Sequence, residues 1–345
     1  MIIPLLLLYF NAFPSPADFK IFALIPGGFL ILIIINLAFI ILWLIFSWKY
    51  LFISLITLLV GINYISAIFP VISYLTPKNY DGELRIMSYN VMLFGLYDWH
   101  NNVEIKNNII DIIIEEDADI LCLQEVYWHD DGGSFNPLKQ IADNYEKMYI
   151  HKEAMTKSYE VNNFGLATMS KYPIINENII NFENSFNGVI VSDIVIDNDT
   201  VRVFNCHMQS IQLDQMDYTV IGTLSDTVDN YKMKLILKRI MGASRQRALQ
   251  SDLVASEIKK SPYPVFVCGD LNDFPLSYTY LNLSKGLKDT YSFKGRFPGY
   301  TWNNFRIKQR IDVIFYNSKY RCTKHKVIEK SLSDHFPIIA DFDKK

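Results

Sequence analysis

Apolar positions divide this chain into two unlike regions. From Ile21 to Trp48 there is no charged side chain, and after Lys49 the stretch Tyr50 to Pro77 is again uncharged. Each run is long enough to cross a hydrocarbon layer of about 30 Å with some tilt. The pattern therefore predicts two transmembrane helices, at about 21–48 and 50–74, within an N-terminal region 1–77. Trp43 and Trp48 fall where an interface would lie. Met1 to Phe10 is apolar over half a span and predicts a partial third span or an anchoring terminus. The turn Ser47-Trp48-Lys49-Tyr50 carries one Lys and no acid, which assigns it to the cytoplasm and the following domain to the other side. Lys20 and Lys78 weigh in the opposite direction.

Beyond the polar linker Pro77 to Glu83 the period changes, and 78–345 reads as one catalytic domain. Leu84 to Asn90 alternates and predicts a strand ending on Asn90. Asn101 to Glu116 carries Val103, Ile105, Ile109, Ile110, Ile112, Ile113 and Ile114 at mostly helical spacing. A second strand, Asp119 to Glu125, and a helix, Pro137 to Met148, follow. Gly165 to Met169, Ile174 to Ile180, Val189 to Ile196 and Val201 to Cys206 predict strands, the last ending on His207. Tyr231 to Lys260 predicts a long helix, and Pro264 to Cys268 a strand. A Gly- and Pro-rich loop reaches Asn304 before strands at Ile311 to Tyr316, Lys324 to Ile328 and Phe336 to Phe342. Many short strands with a few long helices predict a layered α+β fold.

Composition sharpens this picture in two places. A 50% hydrophobic content over 345 residues, with a mean hydropathy of +0.12, is high for a soluble chain, and the excess lies in the first 75 or so positions. A net charge of −3 supplies no global basic field for nucleic acid. Cys122, Cys206, Cys268 and Cys322 show no metal-type spacing and read as small buried hydrophobes.

The chemistry gathers at strand ends. Past Cys268 come Gly269, Asp270, Leu271, Asn272 and Asp273. Alternation turns Asp270 and Asn272 to one side and Leu271 to the core. Asn90, Glu125 and His207 each end another strand, Asp312 sits in Arg310-Ile-Asp312, and Asp334-His335 precedes the last strand. Singly, each has a bland reading: a turn residue for Asn90, a solvated strand end for Glu125, a core histidine for His207, an Arg310 partner for Asp312. One pattern repeated on several strands points instead to a shared pocket. Lys232, Lys234, Lys238, Arg239, Arg245 and Arg247 form a basic cluster, readable as a solvated helix face or as a surface for phosphates or anionic lipid.

Taken in order, Ser88-Tyr-Asn90, Leu123-Gln-Glu125, Gly269-Asp-Leu-Asn272, Arg310-Ile-Asp312 and Ser333-Asp-His335 resemble the motifs of the endonuclease/exonuclease/phosphatase superfamily. These metal-dependent phosphodiesterases include pancreatic deoxyribonuclease, abasic-site endonucleases, neutral sphingomyelinases and inositol polyphosphate 5-phosphatases. The resemblance runs from about Leu84 to Phe342. It implies a four-layer α/β/β/α sandwich of two mixed sheets, preceded here by transmembrane helices. It also implies Mg²⁺ (or Mn²⁺) held by Glu125, Asn90 and Asp334. His335 would contact the phosphoryl group, oriented by Asp312. Asp270 would be the base for the attacking water, with Asn272 supporting the transition state. His207 would be a phosphate contact or leaving-group acid, and Trp302 and Asn163 substrate contacts. Met92 stands where some nuclease relatives carry an acid two positions after the first Asn, which weakens the case for a second metal there.

The expected function is a membrane-anchored phosphodiester hydrolase of nuclease type. The alternatives are a lipid phosphodiesterase or phosphoinositide phosphatase, and a catalytically silent membrane scaffold. The expected partners are a nucleic-acid or phospholipid substrate and the bilayer, with no protein partner. Substrate choice is assigned to loops such as 214–229 and 293–304.

Overall fold

Alternating apolar positions become two stacked sheets. The computed structural model describes residues 5, 14–77, 79–97, 102–130, 135–158, 161–183, 185–211, 217, 230–304 and 307–345. The strands are β1 (Leu84–Asn90), β2 (Ile120–His129), β3 (Tyr149–Ser158), β4 (Asn162–Ser170), β5 (Ile174–Asn181), β6 (Gly188–Ile196) and β7 (Asp199–His207). They continue with β8 (Val265–Asp270), β9 (Lys288–Asp289), β10 (Trp302–Asn304), β11 (Ile307–Gln309), β12 (Asp312–Tyr316), β13 (Tyr320–Val327) and β14 (Ile338–Lys344). One sheet runs β13-β14-β1-β2-β4-β3 and the other β5-β6-β7-β8-β12-β9. Each is mixed: β1 and β2 are parallel, as are β7 and β8, while the other described pairings are antiparallel.

The sheets pack face to face through Ile86, Ile120 and Cys122 of one and Val203, Phe266, Cys268 and Ile314 of the other, all fully buried. The helices are α1 (Ile25–Phe46), α2 (Trp48–Val60), α3 (Ile62–Ile68), α4 (Val71–Leu75), α5 (Asn102–Glu116), α6 (Pro137–Ala142), α7 (Asn230–Lys260), α8 (Tyr278–Leu283) and α9 (Thr290–Lys294). Ile109 and Ile113 of α5 cover the first sheet. Val254 of α7 and Leu283 of α8 cover the second, joined there by Phe29, Ile33 and Ala67 of the N-terminal helices. This is the two-sheet sandwich with outer helices. A polar bridge fixes the layers near one end: Gln124 Nε2 donates to Asn205 Oδ1 at 2.7 Å, and Asn205 Nδ2 to the Ala167 carbonyl at 2.9 Å.

Several elements differ from expectation. The strand expected to stop at Glu125 continues to His129 through a bulge between Leu123 and Val126. The helix expected over Pro137 to Met148 ends at Ala142, and Tyr149–Ser158, for which no element was expected, forms an edge strand. The loop before Asn304 contains α8, β9 and α9.

The N-terminal spans are also corrected. Among the described residues no single helix is long and apolar enough to cross a membrane. The expected span 50–74 is broken at Gly61, where α2 and α3 bend by 64°, though together they have the length and composition. It breaks again before Pro70, which lacks the N–H a continuing helix requires. Met1 to Phe10 lies outside the described residues except for Leu5, which is buried against the core.

Candidate active site

Register brings the polar strand ends together. The parallel β7/β8 pairing sets His207 opposite Asp270, and antiparallel β12 begins with Asp312 opposite Asp270. Asn90 ends β1 beside Gln124 of β2. Gly269 makes the close approach possible: its φ is +133°, and a Cβ there would lie 2.0 Å from the Cys206 carbonyl oxygen. Three non-glycine segments at this edge also adopt left-handed backbone: Glu125 at φ 49°, Asn272 at φ 50°, and Met92, Leu93 and Phe94 at 44°, 55° and 56°. Such residues cost of order 1–2 kcal/mol each and are found where a surrounding structure holds them in place.

Asp270 is 1% exposed and lies at the centre. It accepts from Asn272 N at 2.7 Å, Asn272 Nδ2 at 3.2 Å and Asn90 Nδ2 at 3.2 Å. His335 Nε2 stands 3.6 Å away and His207 Nε2 3.8 Å away. Burial pushes the Asp270 carboxyl up to about 6, offset in part by the charge on His335 and reinforced by Asp312. His335 Nδ1 lies 2.9 Å from Asp312 Oδ2. Burial disfavours its imidazolium, but the charges of Asp312 and Asp270 and the Asp312 hydrogen bond outweigh that and hold it up at about 10. Asp312 is itself aimed by Thr301, whose Oγ1 accepts from the Ile311 and Asp312 backbone N–H groups at 3.0 Å each. Arg310, the partner in the bland reading of Asp312, pairs with Asp289 at 3.0 Å.

Glu125 reaches in from the bulge. Its Oε1 accepts from Asn90 Nδ2 at 3.2 Å and lies 3.5 Å from His207 Nε2, a buried nitrogen with no hydrogen-bond partner. The Met92 N–H donates to Asn90 Oδ1 at 3.1 Å, which turns the Asn90 NH₂ toward both carboxylates. Asp334 Oδ2 accepts from Trp302 Nε1 at 3.2 Å. Trp302 is packed at 8% exposure and bridged to His335. Asn163 is not brought to the cleft. It is 1% exposed, with Nδ2 donating to the Val161 carbonyl at 3.1 Å, while the next residues, Phe164 and Gly165, line the cleft.

Two sets of donors bear on a metal. Asp270, Asp312 and His335 offer ligand atoms within 4.8 Å of one another. A histidine already bound to Asp312 and held protonated is a poor ligand, however, since only the neutral ring offers a lone pair. Glu125 and Asp270, both facing the Asn90 amide, are hard oxygen donors of the kind a small divalent cation takes. The residues present therefore fit a divalent ion, and the acidic edge beside Glu125 fits better than the imidazolium.

Positioning residues were harder to read from sequence. Ser333 Oγ donates to the Asn90 carbonyl at 2.9 Å and accepts from His335 N at 3.1 Å, tying two motifs together. Arg247, one of the basic cluster, is buried at 2% exposure, donating to Asp273 Oδ2 at 3.0 Å and to the Gln209 carbonyl at 2.9 Å. It braces the loops after Asp270 and His207 and is no solvated face. Arg239 pairs with Asp217, the one described residue of loop 214–229. The cleft beside Glu125 and His207, about 380 Å³, is walled by Leu93, Tyr97, Met155, Phe164 and Phe186 together with the polar Thr156, Asn187 and Ser210, and no described Lys or Arg lines it.

The model of the Endonuclease/Exonuclease/phosphatase family matches residues 87–335, and that of a domain of unknown function matches residues 1–68. Among solved structures, the fold is similar to an endonuclease/exonuclease/phosphatase family protein from Leptotrichia buccalis, at 20% identity and a TM-score of 0.54 over 75% of this chain and 99% of that one. It is similar to humanized D. rerio TDP2, at 16% identity and 0.53 over 75% and 98%. It is also similar to a Bacteroides thetaiotaomicron mannosyl-6-phosphatase, at 16% identity and 0.54 over 75% and 99%. No curated protein sequence matches the chain. At these identities the structural likeness shows the fold alone.

Proposed function

Since the chain belongs to the endonuclease/exonuclease/phosphatase family, whose model spans residues 87–335, we propose that it is a membrane-anchored, divalent-metal-dependent phosphodiester hydrolase. The observation that carries this reading is the convergence of Asp270, Asp312 and His335 with Glu125, Asn90 and His207 at one edge. A silent scaffold has no chemical need for two buried carboxylates and an imidazolium held against them.

A phosphodiester resists attack because its anionic oxygens repel nucleophiles, so the site must neutralise charge and deliver a base. Asp270, ionised above about 6, takes the proton of the attacking water. Asn272 holds that carboxylate through its backbone N–H. His335, kept protonated by Asp312, donates to a phosphoryl oxygen as negative charge grows. His207 Nε2, buried with no hydrogen-bond partner between the Glu125 and Asp270 carboxylates, contacts the phosphate or protonates the leaving oxygen. Asn90 positions Glu125 and Asp270. Glu125, with Asp334 as a further ligand, would hold a divalent ion such as Mg²⁺ or Mn²⁺, which would supply Lewis-acid neutralisation of the phosphate.

Two features bear on substrate. Nucleic acids are gripped by Lys and Arg along the backbone, and the described walls of the cleft offer none. Leu93, Met155, Phe164 and Phe186 on one part of this mixed wall suit an ester with an apolar group, which supports the lipid-phosphodiester reading over the nuclease one. The N-terminal helices agree: Ile41, Ile45, Phe46 and Trp48 are 63%, 73%, 74% and 64% exposed, large apolar side chains of the kind that meet a membrane or a partner. The extracytoplasmic placement rests on Lys49 at the tip of this hairpin.

Full-length protein assayed with Mg²⁺ or Mn²⁺ on DNA, RNA, sphingomyelin and phosphoinositides is the decisive experiment. Chelator-sensitive turnover of a phospholipid supports the reading, turnover of nucleic acid restores the nuclease one, and inactivity on all four favours the scaffold.

A further inference from the structure

The N-terminal helices are joined to the catalytic layers along a polar seam. Arg310 Nη2 donates to the Ala67 carbonyl at 2.7 Å, the Tyr291 hydroxyl to the Ile68 carbonyl at 3.2 Å, and Lys294 Nζ to the Pro77 carbonyl at 2.7 Å. Beside this seam, sharing no lining residue with the cleft at the active-site edge, lies a cavity of about 370 Å³ with α3 on one wall and α8, β9 and the turn between them on the other.

Its walls have two characters. Lys285 and Lys288 line it, one exposed and one half-buried. Neither ammonium has a carboxylate partner among the described ion pairs. Lys288 Nζ rests 5.1 Å over the Phe293 ring. The one carboxylate on the wall, Asp289, is already satisfied: it pairs with Arg310 at 3.0 Å and accepts from the Tyr280 hydroxyl at 2.7 Å and the Ser292 hydroxyl at 3.2 Å. The cavity therefore presents two uncompensated cations. Leu281, Leu287 and Tyr64 supply its apolar side.

Location adds to chemistry. The cavity sits where α3 leaves the apolar hairpin and meets the catalytic domain. If the hairpin spans a bilayer, this is the level of the lipid headgroups. Paired lysines beside an apolar wall at that level suit a phosphate that carries acyl chains. We propose that this cavity binds the headgroup of an anionic phospholipid, its phosphate against Lys285 and Lys288 and its glycerol end against Leu281, Leu287 and Tyr64. The proposal rests on the membrane-anchoring part of the proposed function and is independent of the hydrolytic part. A zwitterionic lipid brings its own cation toward the lysines and loses the net attraction, so selection for net negative charge follows.

The test uses the full chain in a zwitterionic detergent, titrated calorimetrically with dihexanoyl-phosphatidylglycerol, dihexanoyl-phosphatidylcholine and inorganic phosphate. Saturable binding of the glycerol lipid is expected, with the choline lipid and free phosphate each at least tenfold weaker. Each lysine contributes about fivefold near such a surface, so K285Q/K288Q should weaken phosphatidylglycerol about thirtyfold. The control K259Q/K260Q, at the end of α7, and the active-site variant H335A should bind like wild type. Equal binding of the two lipids, free phosphate binding as tightly as the lipid, an unaffected K285Q/K288Q, or an equal loss in K259Q/K260Q overturns the proposal. Flotation of the chain on phosphatidylcholine liposomes reports anchoring separately, so its failure tells against the hairpin and not against the cavity's selectivity.

Discussion

Replacing Asp312 by Asn tests the reasoning about the His335 imidazolium most directly. The two groups are 2.9 Å apart and both nearly inaccessible, His335 at 4% and Asp312 at 2% exposure. At an effective dielectric constant of about 20, opposite charges at that distance attract by about 6 kcal/mol, or about four pKa units. His335 stands at about 10 with Asp312 present, so D312N should bring it to about 6. Asp270 must be ionised to act as a base, so activity rises with pH through about 6. His335 must be protonated to act as a donor, so activity falls as pH rises through about 10. Wild type should show a plateau between these limits. In D312N the basic limb moves onto the acidic one, and at pH 8 only about one molecule in a hundred keeps the imidazolium, so kcat/KM falls about 10²-fold. The pH profile of kcat/KM, together with an NMR titration of labelled histidine in metal-free protein, measures both quantities. A D312N enzyme whose basic limb stays near 10, or whose His335 resonance titrates as in wild type, refutes the assignment.

Asp270→Asn should abolish turnover yet raise stability. The folded carboxyl stands at about 6, above its usual value near 4, so the folded state pays for ionisation. That penalty is absent below about pH 4 and complete above pH 6. Metal-free D270N should therefore be more stable than wild type at pH 8 by about 1–3 kcal/mol, the lower end reflecting the loss of a partner for His335. The gain should vanish near pH 4 when melting is followed across that range. Arg310→Ala should cost about 3–5 kcal/mol by denaturant titration in detergent, because it leaves buried Asp289 without its partner. The pair R310M/D289L should recover most of that loss, and a mild R310A single variant would show the pair to be unimportant.

Three residues of the proposed site were legible because they end alternating runs, and alternation fixes where a strand stops and which side its last residue faces. Asn90, His207 and Asp270 follow this rule, and β-pairing then joins them without further information. Glu125 did not obey it. Its strand continues to His129, and a bulge with a left-handed residue turns the carboxylate into the site. Nothing in a hydrophobic pattern signals a left-handed Glu. Asn163 failed for the converse reason, since alternation sends its neighbour to the cleft. Arg247 and Ser333 were missed as positioning groups because their value lies in backbone carbonyls and loop carboxylates distant in sequence. The N-terminal spans were overread because composition reports apolarity, while Gly61 and Pro70 decide continuity.

That N-terminal region also bears on whether the catalytic layers stand alone. Leu276, Tyr280 and Leu283 are at most 4% exposed, and they share a cluster with Phe29, Ile33 and Ala67. Removing residues 1–77 uncovers that surface, frees the Arg310 and Tyr291 donors now bound to the Ala67 and Ile68 carbonyls, and strips Lys294 of the Pro77 carbonyl. Each fully buried large apolar side chain is worth about 1.5–3 kcal/mol, so partial exposure of three costs on the order of a few kcal/mol before the orphaned donors are counted. A chain beginning at residue 78 should melt several degrees below the full protein in the same detergent and bind a hydrophobic dye that the full protein excludes. Arg310 lies two residues before Asp312, so the damage should reach the site, seen as a lower His335 pKa in the truncated chain. Equal melting temperatures and an unchanged His335 titration would mean that the helices rest on the catalytic layers without supporting them.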